Sequence, residues 1–302
     1  NRDTLAPTTR KYDDESEMHN IENKVAVVTG AASGIGLGIT RALIAEGVHV
    51  AMLDIEQEAL DAAFATLPAT NVDVQKYVCD VSSRDAVRET AEAVAAHYGR
   101  VHILCNNAGV VAGGPVGELT YADWDWVLGV NLQGVIAGLQ EYVPLIKSHG
   151  EGGHIVNTAS ILGHITGPRQ AIYAATKYAV VGLSESARAD LEPHDIGVSA
   201  LCPGMIATNI IGSDRNRPDE FLDTGSDFVE GMRDTIETMF KTQGLNPDRV
   251  GEQVVHGIRN NKPFIFTHAG LKDGIDARYQ TIMASFDGSE AEGGSLTDLQ
   301  QD

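Results

Sequence analysis

Cysteine is scarce in this chain of 302 residues. Cys79, Cys105 and Cys202 are far apart, form no CxxC pair, and each sits in an apolar, strand-like run. That usage excludes a disulfide scaffold and predicts reduced core thiols in a cytoplasmic protein. Cations are also short: Lys plus Arg number 22 against 42 for Asp plus Glu, a formal net charge of −20. Such a field repels phosphodiester backbones and anionic lipid surfaces alike, so nucleic acid is not an expected partner. No apolar stretch approaches the roughly 18 residues needed to cross a bilayer. The polar residues 1–17 lack the apolar centre of a signal peptide, so neither secretion nor membrane insertion is expected. Repeats, low-complexity tracts and an interdomain linker are missing as well.

What remains is 43% hydrophobic and 21% charged, the balance of a globular protein with a large core. Residues 1–20 read as a flexible N-terminal extension and 21–285 as one domain. Residues 286–302, with five acids and no Lys or Arg, read as an acidic tail.

Short β-branched runs at 24–29, 48–53, 74–79, 101–105, 154–158, 198–201 and 264–267 predict seven strands. Amphipathic stretches at 36–46, 84–98, 124–147, 171–191 and 247–259 are long enough to be crossover helices. The runs are apolar throughout, as expected of strands covered on both faces, so the pattern predicts an α/β, doubly wound (Rossmann-type) parallel sheet. One segment breaks the rhythm. Residues 204–244 separate the sixth run from the next helix; such an insertion is usually functional or disordered, and the apolar content predicts order.

Directly after the first run comes Thr29-Gly30-Ala31-Ala32-Ser33-Gly34-Ile35-Gly36. Glycines let the backbone approach a pyrophosphate closely, and the helix start meets its charge with free amides and a positive dipole. The spacing G-x3-G-x-G departs from the usual dinucleotide fingerprint. Asp54 closes the second run, where a carboxylate can accept hydrogen bonds from ribose hydroxyls and would repel a 2′-phosphate. No Lys or Arg follows it closely, so NAD is expected over NADP. Asp54 could also merely cap the next helix, and Asp80-Val81 could contact adenine or simply turn the chain.

Tyr173 and Lys177 stand at i and i+4 and would share one helix face. An ammonium beside a phenol favours phenolate, so Lys177 is expected to lower the Tyr173 pKa from its usual value near 10. Ser160 ends the fifth run, at the carboxyl edge where open α/β sheets place ligands. Asn106-Asn107-Ala108-Gly109 ends the fourth. Asn131 lies inside a helical stretch, a poor position for Asn unless its side chain orders something locally. No spaced Cys/His set is present, so no metal is expected. His164 reads as a solvated loop residue, and Arg215 and Arg217 either grip an acidic group of the substrate or are solvated.

In these motifs, together with Pro203-Gly204, the chain resembles the short-chain dehydrogenase/reductase family in its compact single-domain branch. The likeness covers roughly residues 25–267 and implies that 21–285 is a dinucleotide-binding catalytic domain with residues 204–244 as its substrate lid. It implies that Tyr173 is the general acid/base, that Lys177 tunes it and binds the nicotinamide ribose, that Ser160 positions the substrate oxygen, and that Asn131 holds a relay water. It assigns to the cofactor Gly30, Ser33, Gly34, Ile35, Gly36, Asp54, Asp80, Val81, Asn107, Ala108, Gly109, Tyr173, Lys177, Pro203, Gly204, Ile206 and Thr208. A homotetramer or dimer is implied, built on the two long helices containing Asn131 and Tyr173. Within the family, Trp124-Asp125-Trp126, the run ending at Leu132, residues 152–160 and Asn216-Arg217-Pro218 look like members that oxidise benzylic alcohols of lignin-derived aryl ethers. The apolar centres of residues 110–116, 161–169 and 204–244 agree with a bulky hydrophobic secondary alcohol or ketone. Two alternatives stay open: an NADPH-dependent 3-oxoacyl or other carbonyl reductase, against which Asp54 counts, and a non-catalytic dinucleotide-sensing protein.

Overall fold

The computed structural model describes residues 20–221 and 233–286. The expected extension at 1–20 therefore falls outside the described residues except for Asn20, as do part of the expected lid and nearly all of the acidic tail. The described chain forms two compact units, which meet in sequence at Thr267 and His268.

Seven strands form one parallel sheet: β1 (Val25–Thr29), β2 (His49–Asp54), β3 (Val74–Val78), β4 (Ile103–Asn106), β5 (Gly153–Thr158), β6 (Ile196–Cys202) and β7 (Phe264–Phe266). Their order is β3-β2-β1-β4-β5-β6-β7, with β1 pairing β2 on one side and β4 on the other. The chain reverses its direction of winding between β1 and β4. That is the switch point at which open sheets bind ligands, outside the carboxyl ends of the strands.

Alternate strand residues face opposite layers. Ala26, Val28, Val50, Met52, Ile103 and Cys105 pack with Ile39 and Leu43 of α1 (Gly34–Ala45) and Val250, Val254 and Ile258 of the helix Pro247–Arg259. On the other face, Val27, Ala51, Leu104, Ile155 and Val198 pack with Val87 and Val94 from the helix Arg84–Tyr98 and Tyr142 and Ile146 from the helix Gly134–Ser148. Burying each of these larger side chains contributes about 1.5–3 kcal/mol, which is why the strand runs need no alternation.

Between β2 and β3 the chain adds α2 (Gln57–Ala65), and α3 (Arg84–Tyr98) follows β3 as expected. The continuous helix expected over 124–147 is interrupted. It divides into α4 (Tyr121–Leu128), a π-turn Gly129–Gln133 and α5 (Gly134–Ser148). After β5 comes α6 (Ala171–Leu191). The described part of the expected lid holds the 3-10 turns Ile210–Asn216 and Asp219–Phe221 and a helix, α7 (Arg233–Gln243), before α8 (Pro247–Arg259). The second unit contains α9 (Lys272–Ala284). Among the described residues, no helix is long and apolar enough to cross a membrane.

Candidate active site

The glycine loop turns from β1 into α1 with Gly34 at φ +51°. A Cβ on Gly36 would stand 2.0 Å from the Gly30 carbonyl oxygen, so only glycine fits there. Ser33 occupies the N-cap position in extended backbone, yet its exposed hydroxyl makes no capping bond. An uncapped first turn leaves backbone amides and the helix dipole directed at an incoming anion. The Asn107 amide donates to the Thr29 carbonyl oxygen at 2.9 Å, and Thr29 Oγ1 accepts the Asn107 and Ala108 N–H groups at 2.8 and 2.9 Å. These bonds lock the loop after β1 to the loop after β4, so the cradle is rigid before any ligand arrives.

Asp54 ends β2 beside this loop. Its carboxylate accepts the Ala32 N–H at 2.9 Å and the Glu56 N–H at 3.1 Å. Burial holds its pKa above the usual carboxylate value, with the two backbone donors opposing part of the rise. Each oxygen keeps further acceptor capacity, so capping the next turn and receiving a ribose hydroxyl are compatible roles. At Asp80, Oδ1 accepts both the backbone N–H and the hydroxyl of Ser82, which turns the chain there, while Oδ2 keeps acceptor capacity, so turning the chain and contacting a ligand are compatible roles. Val81 is buried against Gly134.

Ser160 follows β5 at the carboxyl edge and is buried, with its Oγ accepting the Leu162 N–H at 3.1 Å. Across from it, α6 carries Tyr173 and Lys177 one turn apart, with Lys177 Nζ 5.4 Å from the centre of the Tyr173 ring. Lys177 is buried and donates to the Thr158 carbonyl oxygen at 2.8 Å. The Gly109 backbone closes the same space, since a Cβ there would stand 3.6 Å from Lys177 Nζ and 3.3 Å from Asn131 Oδ1. Ser160, Tyr173, Lys177 and Asn131 thus converge next to the glycine cradle; the i, i+4 spacing anticipated only the Tyr173–Lys177 pair, and the resemblance implied the rest.

Electrostatics at this cluster differ from the expectation. Burial pushes the Tyr173 phenol up to about 12, with a hydrogen bond to Ser160 opposing the rise. Burial also pushes the Lys177 ammonium down to about 8. Desolvation penalises both charged forms, so Lys177 alone does not produce a phenolate near neutrality.

Asn131 sits in the π-turn, fully buried. Its Oδ1 accepts the Val110 N–H at 2.8 Å, while Nδ2 donates to the Val110 carbonyl at 2.9 Å and to Thr176 Oγ1 at 3.3 Å. The side chain is therefore occupied in pinning the loop after β4 to the helix, and this tie accounts for the widened turn. Such π-bulges cluster at functional sites.

Pro203 accepts the Ile161 N–H and Gly204 donates to Thr267 Oγ1, which fixes the start of the lid segment. Ile206 is buried and bridges to Leu245, and Thr208 lies against Gly34. His164 is not solvated: it is buried between the Phe264 and Phe266 rings, with Nε2 3.3 Å from Cys202 Sγ. The two lid arginines are both paired with acids of the chain, Arg217 largely buried and Arg215 at the surface. Arg215 pairs with Glu56 at 2.7 Å, and Arg217 pairs with buried Asp123 at 2.6 Å and stacks over Trp126. Sequence reasoning missed Thr29, Thr158, Thr176 and Glu56, whose roles depend on partners distant in the chain. All three cysteines are free and buried.

The comparisons agree with this geometry. A family model described as short chain dehydrogenase matches residues 24–219. A C alpha-dehydrogenase of Sphingobium sp. strain SYK-6 is 33% identical over 271 residues, covering 89% of this chain and 88% of that protein. A 3-oxoacyl-[acyl-carrier-protein] reductase of Thermotoga maritima is 39% identical over 189 residues, 62% of this chain and 76% of that protein. Among solved structures, a short chain dehydrogenase/reductase from Burkholderia phymatum in complex with NAD superposes with a TM-score of 0.84 at 31% identity, covering 91% of this chain and 99% of that one. With the glycine cradle and the Ser-Tyr-Lys cluster meeting at the switch point, the chain belongs to the short chain dehydrogenase family and is an oxidoreductase that acts on CH–OH groups with a nicotinamide dinucleotide.

Proposed function

We propose that the protein is an NAD-dependent dehydrogenase that interconverts a bulky hydrophobic secondary alcohol and its ketone. The observation that carries this reading is the convergence of Ser160, Tyr173 and Lys177 beside a cradle whose ribose-facing end is acidic rather than basic. The relative named C alpha-dehydrogenase and the NAD-bound structural neighbour support it. Gly30, Ser33, Gly34, Ile35 and Gly36 would hold the pyrophosphate, Asp54 the adenosine ribose, and Lys177 with Thr208 the nicotinamide end. When bound, the dinucleotide supplies the hydride acceptor and a positive charge near the phenol.

The Ser160 hydroxyl holds the substrate oxygen against the Tyr173 phenol, which gives or takes the proton at that oxygen. Because the phenol is pushed up to about 12 in the free chain, Tyr173 rests protonated, and oxidation of an alcohol has to recruit nearby positive charge to ionise it. Lys177 supplies one such charge below its own lowered pKa of about 8. The Asn131 side chain ties Val110 to Thr176, so a relay water at this turn would have to share its Oδ1 or rest on a main-chain oxygen. A second reading, an NADPH-dependent 3-oxoacyl reductase, is favoured by the reductase relative and opposed by Asp54. Buried free thiols fit a cytoplasmic setting. We also take the chain to form a homo-oligomer through α5 and α6; sedimentation as a monomer removes that part.

A panel of aryl and alicyclic secondary alcohols, assayed with NAD and with NADP, tests the proposal. We expect NADH formation with at least one bulky benzylic or cyclic substrate and little NADPH. Placed proton transfer contributes about 10²- to 10⁴-fold, so Tyr173→Phe is expected to lower turnover by about that factor while retaining NADH binding. Undiminished turnover in that variant removes the mechanism, and a strong NADP preference removes the cofactor assignment.

A further inference from the structure

The lid segment crosses the crevice. It leaves β6 at Cys202, lays Thr208 against Gly34 of the glycine loop, and passes Ser213, whose Oγ accepts the Val111 N–H at 3.0 Å beyond β4. It then reaches Glu56, two residues past Asp54 on the far side of the switch point. There a single carboxylate oxygen, Glu56 Oε1, accepts Arg215 Nε at 3.1 Å, Arg215 Nη2 at 2.7 Å and Asn216 Nδ2 at 2.7 Å. Arg215 also donates to the Gly212 carbonyl oxygen at 2.9 Å, which sets its guanidinium within the 3-10 turn Ile210–Asn216. The partners are 159 and 160 residues apart in sequence, so these bonds tie two separate elements together.

A dinucleotide lying between Asp54 and Tyr173 would run beneath this strap. We propose that Glu56, Arg215 and Asn216 form a clasp that fastens the strap over the adenosine end of the bound dinucleotide, so that opening the clasp governs dinucleotide release. The inference rests on the dinucleotide site described under the proposed function. It assigns Glu56 a positioning role, separate from the proton-transfer group. The Arg215 guanidinium holds the Glu56 carboxyl below the usual carboxylate range, so the clasp stays charged at neutral pH. It is partly exposed, with 44% of the Arg215 and 29% of the Glu56 side chain accessible. Exposed ion pairs are individually weak and are screened by salt, which suits a contact that has to open in every turnover. The Asp54 contact is with the Glu56 backbone N–H, so changing the Glu56 side chain leaves that bond in place.

The test has two arms. NADH release is followed by stopped-flow displacement for the wild type, Glu56→Gln, Arg215→Gln and the swapped double variant Glu56→Arg/Arg215→Glu. Hydrogen exchange over residues 205–217 is measured on the dinucleotide-free protein. Each single variant is expected to release NADH about three- to tenfold faster and to exchange faster over 205–217. The swap is expected to return release to within about twofold of the wild type, and added salt should speed release in the wild type more than in the single variants. Single-variant release within about twofold of the wild type, or unchanged exchange in the free protein, overturns the clasp. A wild-type protein with no affinity for NADH removes the function and the clasp together, whereas normal NADH affinity with unchanged release removes the clasp alone.

Discussion

The two ends of the sheet both gather polar side chains, and they use them differently. At the amino end, a cleft of about 490 Å³ is lined by Lys24, His49, Asp73, His97, Arg100, His102 and Glu151, among others. Glu151 accepts from Lys24 and His102, each at 3.1 Å, and from Arg100. His102 Nδ1 accepts the Val25 N–H, and His149 bonds both the Val101 carbonyl and the Glu151 N–H. At the carboxyl end the protein leaves capacity unspent. Ser33 caps nothing, Asp54 retains acceptor sites, and Thr158 takes one of the three Lys177 N–H groups. The comparison teaches that a cleft with titratable groups is a structural clamp when protein partners consume those groups, and a site when they remain directed into the opening.

The largest expected difference between the ends concerns Lys177. A fall from 10.5 to about 8 corresponds to about 3 kcal/mol at roughly 1.4 kcal/mol per pH unit. The folded chain disfavours the ammonium, so this cost is fully present below pH 8 and is relieved as pH rises from 8 towards 10.5. Lys177→Met is therefore expected to lower turnover by about 10²-fold or more and yet to raise stability at pH 7. Losing the charge-assisted Thr158 bond offsets about 1.5 kcal/mol or more of that cost, which leaves a gain of at most about 2 kcal/mol that shrinks by pH 10. Calorimetry at the two pH values checks it; a Tm that falls at pH 7 would show that the lysine is integral to the fold rather than a functional expense.

How much of this contrast was legible in the sequence depends on the range of the interaction. The glycine loop, Asp54 at the end of β2 and the Tyr173–Lys177 pair are local patterns, written within one turn or one strand. The π-turn at Asn131 was not legible, because its cause is a bond to Val110, 21 residues away. The clasp was hidden for the same reason: Arg215 read as either a substrate contact or a solvated loop charge because Glu56 is remote in sequence. At the amino end, His102 attracted no notice, since nothing in its neighbourhood announces that Glu151 and Val25 fold against it. The upward shift of Tyr173 also escaped, because spacing reports a neighbouring cation and says nothing about burial.

Buried histidines at the amino and central parts of the sheet give the next effect. Burial holds His102 down at about 4 and His154 at about 3, against 6.5 in an exposed chain. In the fold both stay neutral while the unfolded chain takes up protons, so stability is intact above pH 6.5 and is lost as pH falls from 6.5 towards 4. His102 alone corresponds to a loss of about 3 kcal/mol across that window. Urea midpoints measured between pH 7 and pH 4.5 are expected to fall steadily, and a flat profile would contradict a neutral, buried amino-end cluster.

Asp54 ranks third. The Ala32 and Glu56 N–H groups bind different oxygens of Asp54, so Asp54→Asn breaks one of these backbone bonds along with removing the negative charge and one ribose-facing acceptor. Hydrogen bonds to charged groups contribute about 1.5–3 kcal/mol, which predicts a rise of at least tenfold in the NAD dissociation constant and a smaller change for NADP. Titration of each dinucleotide against the wild type and the variant measures it. Equal weakening of both would mean that Asp54 only braces the glycine loop.

The smallest effect is expected where a metal centre looks most plausible. His102, His149 and Glu151 bring potential ligand atoms within 4.8 Å of one another, a spacing that invites a cation. The hydrogen bonds argue otherwise. The Val25 N–H occupies the Nδ1 lone pair of His102, so the proton of the neutral ring sits on Nε2 and is given to Glu151. In His149, Nε2 gives its proton to the Val101 carbonyl and Nδ1 receives the Glu151 N–H. Neither neutral ring keeps a lone pair for a metal, and turning His102 to offer one would set an N–H against the Val25 N–H. A chelator is therefore expected to change neither Tm nor turnover. His149→Ala removes two hydrogen bonds to the backbone worth about 1 kcal/mol each and should lower stability by about 2 kcal/mol while leaving turnover within about twofold. If zinc raised the Tm of the wild type but not of His149→Ala, the amino end would be a site after all, and the distinction between spent and unspent hydrogen-bonding capacity would fail at its clearest instance.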